Sequence, residues 1–262
     1  MSSIKIKATN SYGNTLQLTQ QAAYAVASVS GLTPPEGAVY TSEVATKDGS
    51  FYSASRSQNR EIVLTIYPQE KVETARLALY TVFKLAKWVQ LELQTGSRHV
   101  TIEGWVQSMQ GDLYENPQQL QISVLCPDPF FEDYTTTTTA LTTAGTAVTV
   151  ANAGDEEAGA VFTLTASGSV SNPTIYNTTT GQTFGLTLDM ASGDVVTIDT
   201  RRGSLRATLN HSGTVTNIIN NMTNGSEWIK LQPGNNSINF NASSGGAALT
   251  CSVAFTPIYE GL

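Results

Sequence analysis

The feature that most constrains this chain is a two-residue alternation of apolar and polar side chains, repeated in short segments that turns interrupt. In Glu61–Tyr67 the core-forming side chains Ile62, Leu64 and Ile66 recur at every second position, and Pro68 stops the segment. A period of two predicts a β-strand with one buried face. The same pattern predicts strands, in the first half, within 4–18 about a turn at 12–14, and at 89–94, 100–107 and 120–126.

One segment departs from this alternation and has helical spacing. Apolar residues recur every three or four positions over residues 70–87, which predicts an amphipathic helix that crosses the neighbouring sheet. Glu70 and Glu73 fall in its first turn and Lys84 and Lys87 in its last, the charge order that a helix dipole favours. The N-terminal half is therefore predicted to be antiparallel β-sheet with one α-helix.

A composition break divides the chain into two predicted domains. The N-terminal domain, residues 1–134, ends near Pro127, Pro129 and the pair Phe130-Phe131, which we take as the interdomain junction. A run of threonines then predicts an extended linker over residues 135–145. Residues 146–262 follow as short strands without a helix, typical of a β-sandwich or jelly roll. The predicted strands are 161–165, 174–177, 183–189, 195–199, 204–209, 227–231, 237–241 and 249–255.

Residues 31–57 form an unusually long excursion for a compact domain. Glycines and the pair Pro34-Pro35 punctuate it, and Asp48-Gly49 is a strong hairpin-turn signal. A segment of this kind is usually functional or is stabilised by something outside it. We therefore expect it to lie at a contact with another subunit.

The composition argues against several classes of function. The net charge is -7 and neither half carries a basic footprint, which argues against nucleic acid as a partner. The first fifteen residues lack the apolar stretch of a signal peptide, and no apolar run is long enough to cross a membrane. The two cysteines, Cys126 and Cys251, lie in alternating apolar segments and are expected to be buried thiols.

No catalytic, metal or cofactor site is predicted. His99 and His211 have no further ligand at metal-binding spacing, and no nucleophile or phosphate-binding motif is present. The strand-flanking Asp189, Asp194 and Asp199 could hold a cation or a glycan, but such aspartates more often cap turns. Trp228 is a speculative glycan contact, although a core or domain-interface tryptophan is the more frequent case.

Four stretches in order resemble the distal tail protein family of siphophages. The most specific are the Cys-Pro-Asp-Pro-Phe-Phe ending of residues 120–131 and the Leu-Gln-Pro-Gly-Asn-Asn turn within 228–236. The resemblance also covers 12–18 with 31–35, 48–50 with 59–65, and 171–175 with 193–200. It implies a ring-forming N-terminal domain that is a β-sandwich or split barrel with one α-helix, and a galectin-like C-terminal β-sandwich. It does not imply that the C-terminal sandwich binds sugar.

The resemblance further implies a structural role and no enzyme activity. The family forms a hexameric ring that joins the tail tube to the tail tip or baseplate, and an arm from each subunit embraces its neighbour. The implied partners are other copies of the chain, the tail tube protein, and the tail-associated lysin, fibre or receptor-binding proteins. The implied location is the virion's distal tail tip, after synthesis in the host bacterial cytoplasm. The candidate arm contacts are Val39, Tyr40, Asp48, Gly49, Phe51 and Tyr52.

One alternative function stays open from the sequence. The C-terminal sandwich could make the chain a carbohydrate-binding adhesin of the host-recognition device. Both halves are close to minimal length and leave no room for a carbohydrate-binding insertion, which favours the structural hub.

Overall fold

The computed structural model describes residues 4–46 and 48–262 and is mostly β, as the alternation predicts. The chain divides into two compact units, one formed by residues up to Tyr134 together with Tyr259–Leu262, the other by Thr135–Ile258. The elements of the first unit before the division are β1 Lys5–Asn10, β2 Thr15–Gln17, β3 Tyr24–Ser30, β4 Gly37–Glu43, β5 Ser50–Ser57, β6 Arg60–Pro68, α1 Val72–Val82, β7 Trp88–Gln94, β8 His99–Gln110, β9 Leu120–Cys126 and β10 Phe131–Asp133.

A nine-stranded antiparallel sheet forms the first unit. Its main path runs β2-β1-β7-β8-β9-β6-β3, and β10 pairs with β8 and with the C-terminal strand Ile258–Tyr259. Helix α1 contacts β1 and β2 near one end of this path and β6 near the other. The side chain of Asn10 donates to Thr81 O at 2.9 Å, and the hydroxyl of Tyr24 donates to Ala75 O at 3.0 Å. The helix therefore packs across the sheet and contacts strands near both ends of its path.

The helix is shorter than the sequence predicts. It spans Val72–Val82 instead of 70–87 and buries Ala75, Leu79 and Val82 against the sheet. Lys84 and Lys87 lie beyond its end, so the predicted basic last turn is wrong. The chain turns early because Ala86 N donates to Val106 O at 2.9 Å and Val106 N donates to Lys87 O at 3.0 Å. This pairing with β8 carries the chain directly into β7.

The second unit is a β-sandwich of two antiparallel sheets. Seven strands form one sheet, on the path β11-β22-β13-β17-β18-β19 with β20 on β13, and five form the other, on the path β12-β21-β14-β15 with β16 on β14. Their bounds are β11 Thr137–Leu141, β12 Val148–Asn152, β13 Ala158–Ala166, β14 Val170–Asn177, β15 Gln182–Gly185, β16 Asp189–Met190, β17 Val195–Asp199, β18 Arg206–His211, β19 Thr214–Asn217, β20 Lys230–Leu231, β21 Gly234–Ser244 and β22 Leu249–Phe255.

The core of the second unit lies between these two sheets. Phe162 and Val253 from the larger sheet and Ile175 and Phe240 from the smaller one are all buried in one apolar cluster. Alternation along each strand supplies these inward side chains, while threonine and asparagine face outward. The observed sandwich agrees with the galectin-like fold that the sequence implies.

Two boundaries differ from the sequence prediction. The threonine-rich segment predicted as a linker over 135–145 contains β11, which pairs with β22 from Thr137↔Phe255 to Leu141↔Cys251. β-Branched threonines suit a half-exposed edge strand, so the run that seemed a linker opens the sandwich. The predicted second domain, 146–262, also loses its last four residues to the first unit, where Tyr259 is part of the core.

Burial of α1 against the sheet should dominate the stability of the first unit. Leu79→Ala should lower its free energy of unfolding by about 2–5 kcal/mol, because Leu79 is fully buried and a cavity would remain. Leu77→Ala on the exposed side of the same helix is the matched control and should change it by less than about 0.5 kcal/mol. Urea unfolding of both variants would measure the two losses of unfolding free energy. Equal losses for Leu79→Ala and Leu77→Ala would show that α1 does not pack as described.

Asp199 should make the second unit sensitive to acid. Burial acts to raise the pKa of this carboxyl, but hydrogen bonds and charge from Arg201 and Arg206 outweigh it, and the net pKa is lowered. A lowered folded-state pKa gives stability that is present above the unfolded-state pKa of about 3.9 and is lost as pH falls through the folded-state value.

The prediction is tested with Asp199→Asn. Thermal unfolding of the wild type should lose stability as the solution is acidified from pH 5 towards pH 2, and the variant should lose less over the same range. Identical pH profiles for the two proteins would contradict it. Asp189→Asn is the matched control, since Asp189 is an exposed strand-end aspartate.

Candidate interaction site

An isolated β-hairpin projects between β3 and β6. Its strands, β4 and β5, pair with each other and with no other described strand, and every residue of β5 is exposed. We call Gly37–Ser57 the arm. A two-stranded hairpin without a core to pack against is marginally stable in water, so the arm needs a surface to lie on.

The predicted contact residues lie on the arm. Val39 and Tyr52 are 65% and 67% exposed, and Tyr40 and Phe51 are each about half exposed. Asp48 and Gly49 lie in the turn at its far end, where Gly49 has φ +83°, a conformation that glycine adopts without strain. The sequence therefore located the turn of the predicted arm or hairpin, residues 31–57, but did not give the bounds of β4 and β5.

Both faces of the arm carry large apolar side chains. The register pairs Val39 with Ser55 and Thr41 with Tyr52, which places Val39 and Tyr52 on one face. The other face carries Tyr40 and Phe51, with the guanidinium of Arg56 6.0 Å from the Tyr40 ring centre. The pairing register shifts at a bulge between Tyr40 and Thr41, and the four side chains lie on these two faces with that shift included. Exposed apolar surfaces of this kind are frequent where a protein contacts another molecule, and the arm as a subunit contact stays a prediction.

A buried arginine holds the root of the arm. Arg60 is 3% exposed and begins β6 in the same phase as the buried residues of that strand. Its guanidinium lies 4.4 Å from the centre of the Phe131 ring. It donates four hydrogen bonds of 2.5 Å to backbone carbonyls: Nη1 to Gly31 O and Thr33 O, Nε to Pro129 O and Nη2 to Glu260 O.

These acceptors come from three separate segments of the first unit. Burial lowers the pKa of the Arg60 guanidinium, while the carboxylate of Glu260 acts in the opposite direction. An arginine stays charged in spite of such a shift, so its donors remain available. The planar fork can serve several carbonyls at once, which a lysine ammonium cannot do with the same geometry.

Close backbone packing completes the root. Gly31 has φ +83°, and a Cβ there would lie 2.1 Å from Glu61 O, so only glycine fits. Gln58 N donates to Glu36 O at 2.8 Å, and Leu262 N donates to Leu32 O at 3.0 Å. The arm therefore leaves from a fixed base, whereas its two strands pair with each other and with no other described strand.

The residues predicted as an interdomain junction belong to this root. Phe131 is fully buried in the core of the first unit beneath Arg60, and Pro129 supplies a carbonyl to it. Pro127 is exposed, and Phe130 N donates to the side chain of Asp128 at 3.3 Å in the turn before β10. Phe131 thus belongs to the core of the first unit, and the assignment of these residues to an interdomain junction stays a prediction.

Trp228, the speculative glycan contact, is half buried in the second unit. Its ring packs against Phe184 with 5.1 Å between ring centres and borders the apolar core. This packing gives the ring a structural role in the sandwich. The glycan contact stays a prediction.

The histidines and cysteines form no reactive cluster within residues 4–46 and 48–262. His99 bonds Glu92 at 2.9 Å and His211 bonds Asp194 at 2.6 Å, pairs that sequence spacing did not reveal. No group of three metal-binding side chains occurs among these residues. Both cysteines are free, and burial raises the pKa of each thiol to about 12. No helix among the described elements has the length and hydropathy of a membrane span.

Comparison of the sequence with protein families gives one match. Residues 153–259 match the family described as siphovirus-type tail component, C-terminal domain. A search of curated proteins finds no match. The matching family consists of tail components and not of enzymes, and the resemblance predicted from the sequence is confirmed for this region.

Comparison with solved structures extends the likeness to both units. The Dit protein of phage SPP1, described as a paradigm of the hub adsorption apparatus in phages that infect Gram-positive bacteria, superposes with a TM-score of 0.73 at 15% identity, over 97% of this chain and 98% of that one. Two phage P2 baseplate structures in the activated conformation, with calcium or strontium, give TM-scores of 0.48 and 0.47 at 9% and 10% identity; both cover 96% of this chain and 98% of theirs. The fold is thus that of the SPP1 protein.

Removing the Arg60 fork should destabilise the first unit strongly. Arg60→Met keeps the apolar stem but leaves four carbonyls without their donor, and we expect a loss of at least about 3 kcal/mol of unfolding free energy. Arg60→Lys should retain only part of the unfolding free energy that Arg60→Met loses. Arg56→Met in the arm is the matched control and should change stability by less than about 0.5 kcal/mol. Guanidinium chloride unfolding would measure these changes in the free energy of unfolding. An unchanged value for Arg60→Met would show that the hydrogen bonds of Arg60 do not stabilise the first unit.

Proposed function

We propose that this chain is a structural hub of a phage tail, forming a hexameric ring that joins the distal end of the tail tube to the tail tip or baseplate. The family match over 153–259 and the shared fold with the SPP1 hub protein support a tail component. The arm supports assembly, because an exposed apolar hairpin with a rigid base suits a contact between subunits. The ring, its hexameric number and its location at the virion's tail tip belong to the proposal.

Ring formation follows from one physical requirement. A subunit that offers one surface and receives a different one makes a heterologous contact, and such contacts close into a ring when the rotation permits. The arm supplies one such surface, since its apolar side chains gain about 25 cal/mol for each square ångström removed from water. Its single turn and fixed root limit the conformational entropy that docking must overcome.

The partners follow from the same role. A hub between a tube and a tip needs one ring face for the tail tube protein and another for the tail-associated lysin, fibre or receptor-binding proteins. The C-terminal sandwich then decorates the ring without a catalytic or cofactor site. No described feature favours the adhesin alternative, since Trp228 packs against Phe184.

Deleting 39–53 tests the arm as the subunit contact. The deletion joins Ala38 to Ala54 and leaves the root around Arg60 in place, so the protein should stay folded. We expect rings of the wild type in negative-stain images and a monomer of the variant by light scattering, with matching circular dichroism spectra.

The matched control is Val215→Ser in the second unit. Val215 is as exposed as the arm residues but lies on the edge strand β19, so this variant should still form rings. Deleted protein that still assembles like the wild type would contradict the assignment of the arm.

A further inference from the structure

A second exposed apolar feature lies at the end of α1. Here the helix end, the following turn and strands β8 and β9 border a groove of about 410 Å³. Phe83 and Leu120 are buried at its base, and Tyr80, Leu85 and Met109 line it. This volume falls within the range of real binding sites, and the lining is mainly apolar.

The rim of the groove is held out into solvent. Leu85 is 67% exposed and sits in the turn between α1 and β7, where the next residue, Ala86, has φ +56°. A left-handed conformation at a residue other than glycine is uncommon, and the surrounding structure must hold it. The bonds from Ala86 and Lys87 to Val106 do so and thereby present Leu85.

The groove and the arm lie at opposite ends of the first unit. β6 pairs with β9 from Arg60↔Cys126 at the root of the arm to Ile66↔Leu120 at the groove. Six residues of strand separate these pairs, a distance of about 20 Å. One copy thus offers an apolar hairpin at one end and an apolar groove at the other, which is the arrangement that a head-to-tail contact between copies requires.

Size and charge also fit a second copy. The arm spans 21 residues from Gly37 to Ser57, within the roughly 20–30 residues that each side of a standard interface supplies. The segment that forms the rim carries Lys84 and Lys87 and no acid. In the amino-acid sequence of the arm, residues 43–49 include Glu43 and Asp48 against the single cation Lys47, so the net charges of the two segments are opposite.

We infer that the groove lined by Tyr80, Leu85 and Met109 receives the arm of the neighbouring copy. This inference rests on the proposed function, which requires contact between copies but leaves the receiving surface unspecified. The groove covers part of the arm, with the residues of its turn directed at Lys84 and Lys87.

The test uses two variants that each destroy one half of the contact. Leu85→Glu places a charge in the groove and should weaken the contact between copies at least roughly 100-fold, because a buried charge without a partner is strongly unfavourable. The protein lacking 39–53 keeps its groove but has no arm. Each variant alone should be monomeric, whereas an equimolar mixture should give a one-to-one dimer that cannot grow, measured by sedimentation velocity.

Leu77→Glu is the matched control for the groove. Leu77 is a half-exposed leucine of the same helix that does not line the groove, so this variant should assemble like the wild type. Unchanged circular dichroism of Leu85→Glu would show that loss of assembly is not loss of fold.

A crosslinking experiment tests the contact even where rings do not form in isolation. Copies carrying Tyr52→Cys are mixed at high concentration with copies carrying Leu85→Cys, and mild oxidation should link the two kinds of chain. The native thiols are buried with pKa values of about 12 and should not interfere. Leu77→Cys in place of Leu85→Cys is the control and should give little product.

The outcomes separate the inference from the proposed function. Normal rings of Leu85→Glu, with assembly lost on deleting 39–53, would overturn the groove as receptor and leave the arm as the subunit contact. Rings that survive both changes would also remove the arm from the proposed function. Absence of a selective Tyr52–Leu85 crosslink at high concentration would overturn the inference.

Discussion

The first unit depends on the burial of one guanidinium. Arg60 occupies a core position and satisfies four carbonyls from the start of the arm, the turn before β10 and the C-terminal residues. A buried charge is tolerated only where hydrogen bonds replace its lost water, so these segments have to converge at one point. This convergence fixes where the arm leaves the unit.

The root of the arm is held by packing within the first unit, whereas the arm itself is exposed. The root is rigid because Gly31 admits close backbone approach and Arg60 links separate segments. In the proposed ring, the arm gains its packing from a neighbouring copy. Assembly of that kind buries the arm without refolding the unit, which limits the entropy that each contact costs. The exposed apolar side chains of the arm are then the basis of the proposed association.

The two units carry different kinds of evidence about function. The sandwich of Thr135–Ile258 carries the family match but no described cluster that suggests chemistry. The first unit carries the arm and the groove, and its likeness to the SPP1 protein is one of fold. A mechanical role for the whole chain accounts for both observations, because joining parts of a tail requires surfaces and not a reaction.

The sequence by itself determined the β-rich class, the single helix, the position of the hairpin turn at Asp48-Gly49 and the resemblance to a tail protein, because periodicity and turn residues are local signals. Tertiary structure decided what local signals do not contain. Residues 137–141 form an edge strand because β22 is there to pair with them, and α1 ends at Val82 because Val106 binds the following turn. Arg60 was visible only as a charge in the buried phase of β6, and its acceptors lie up to 200 residues away. Long-range hydrogen bonds and packing place such residues, and no sequence period records them.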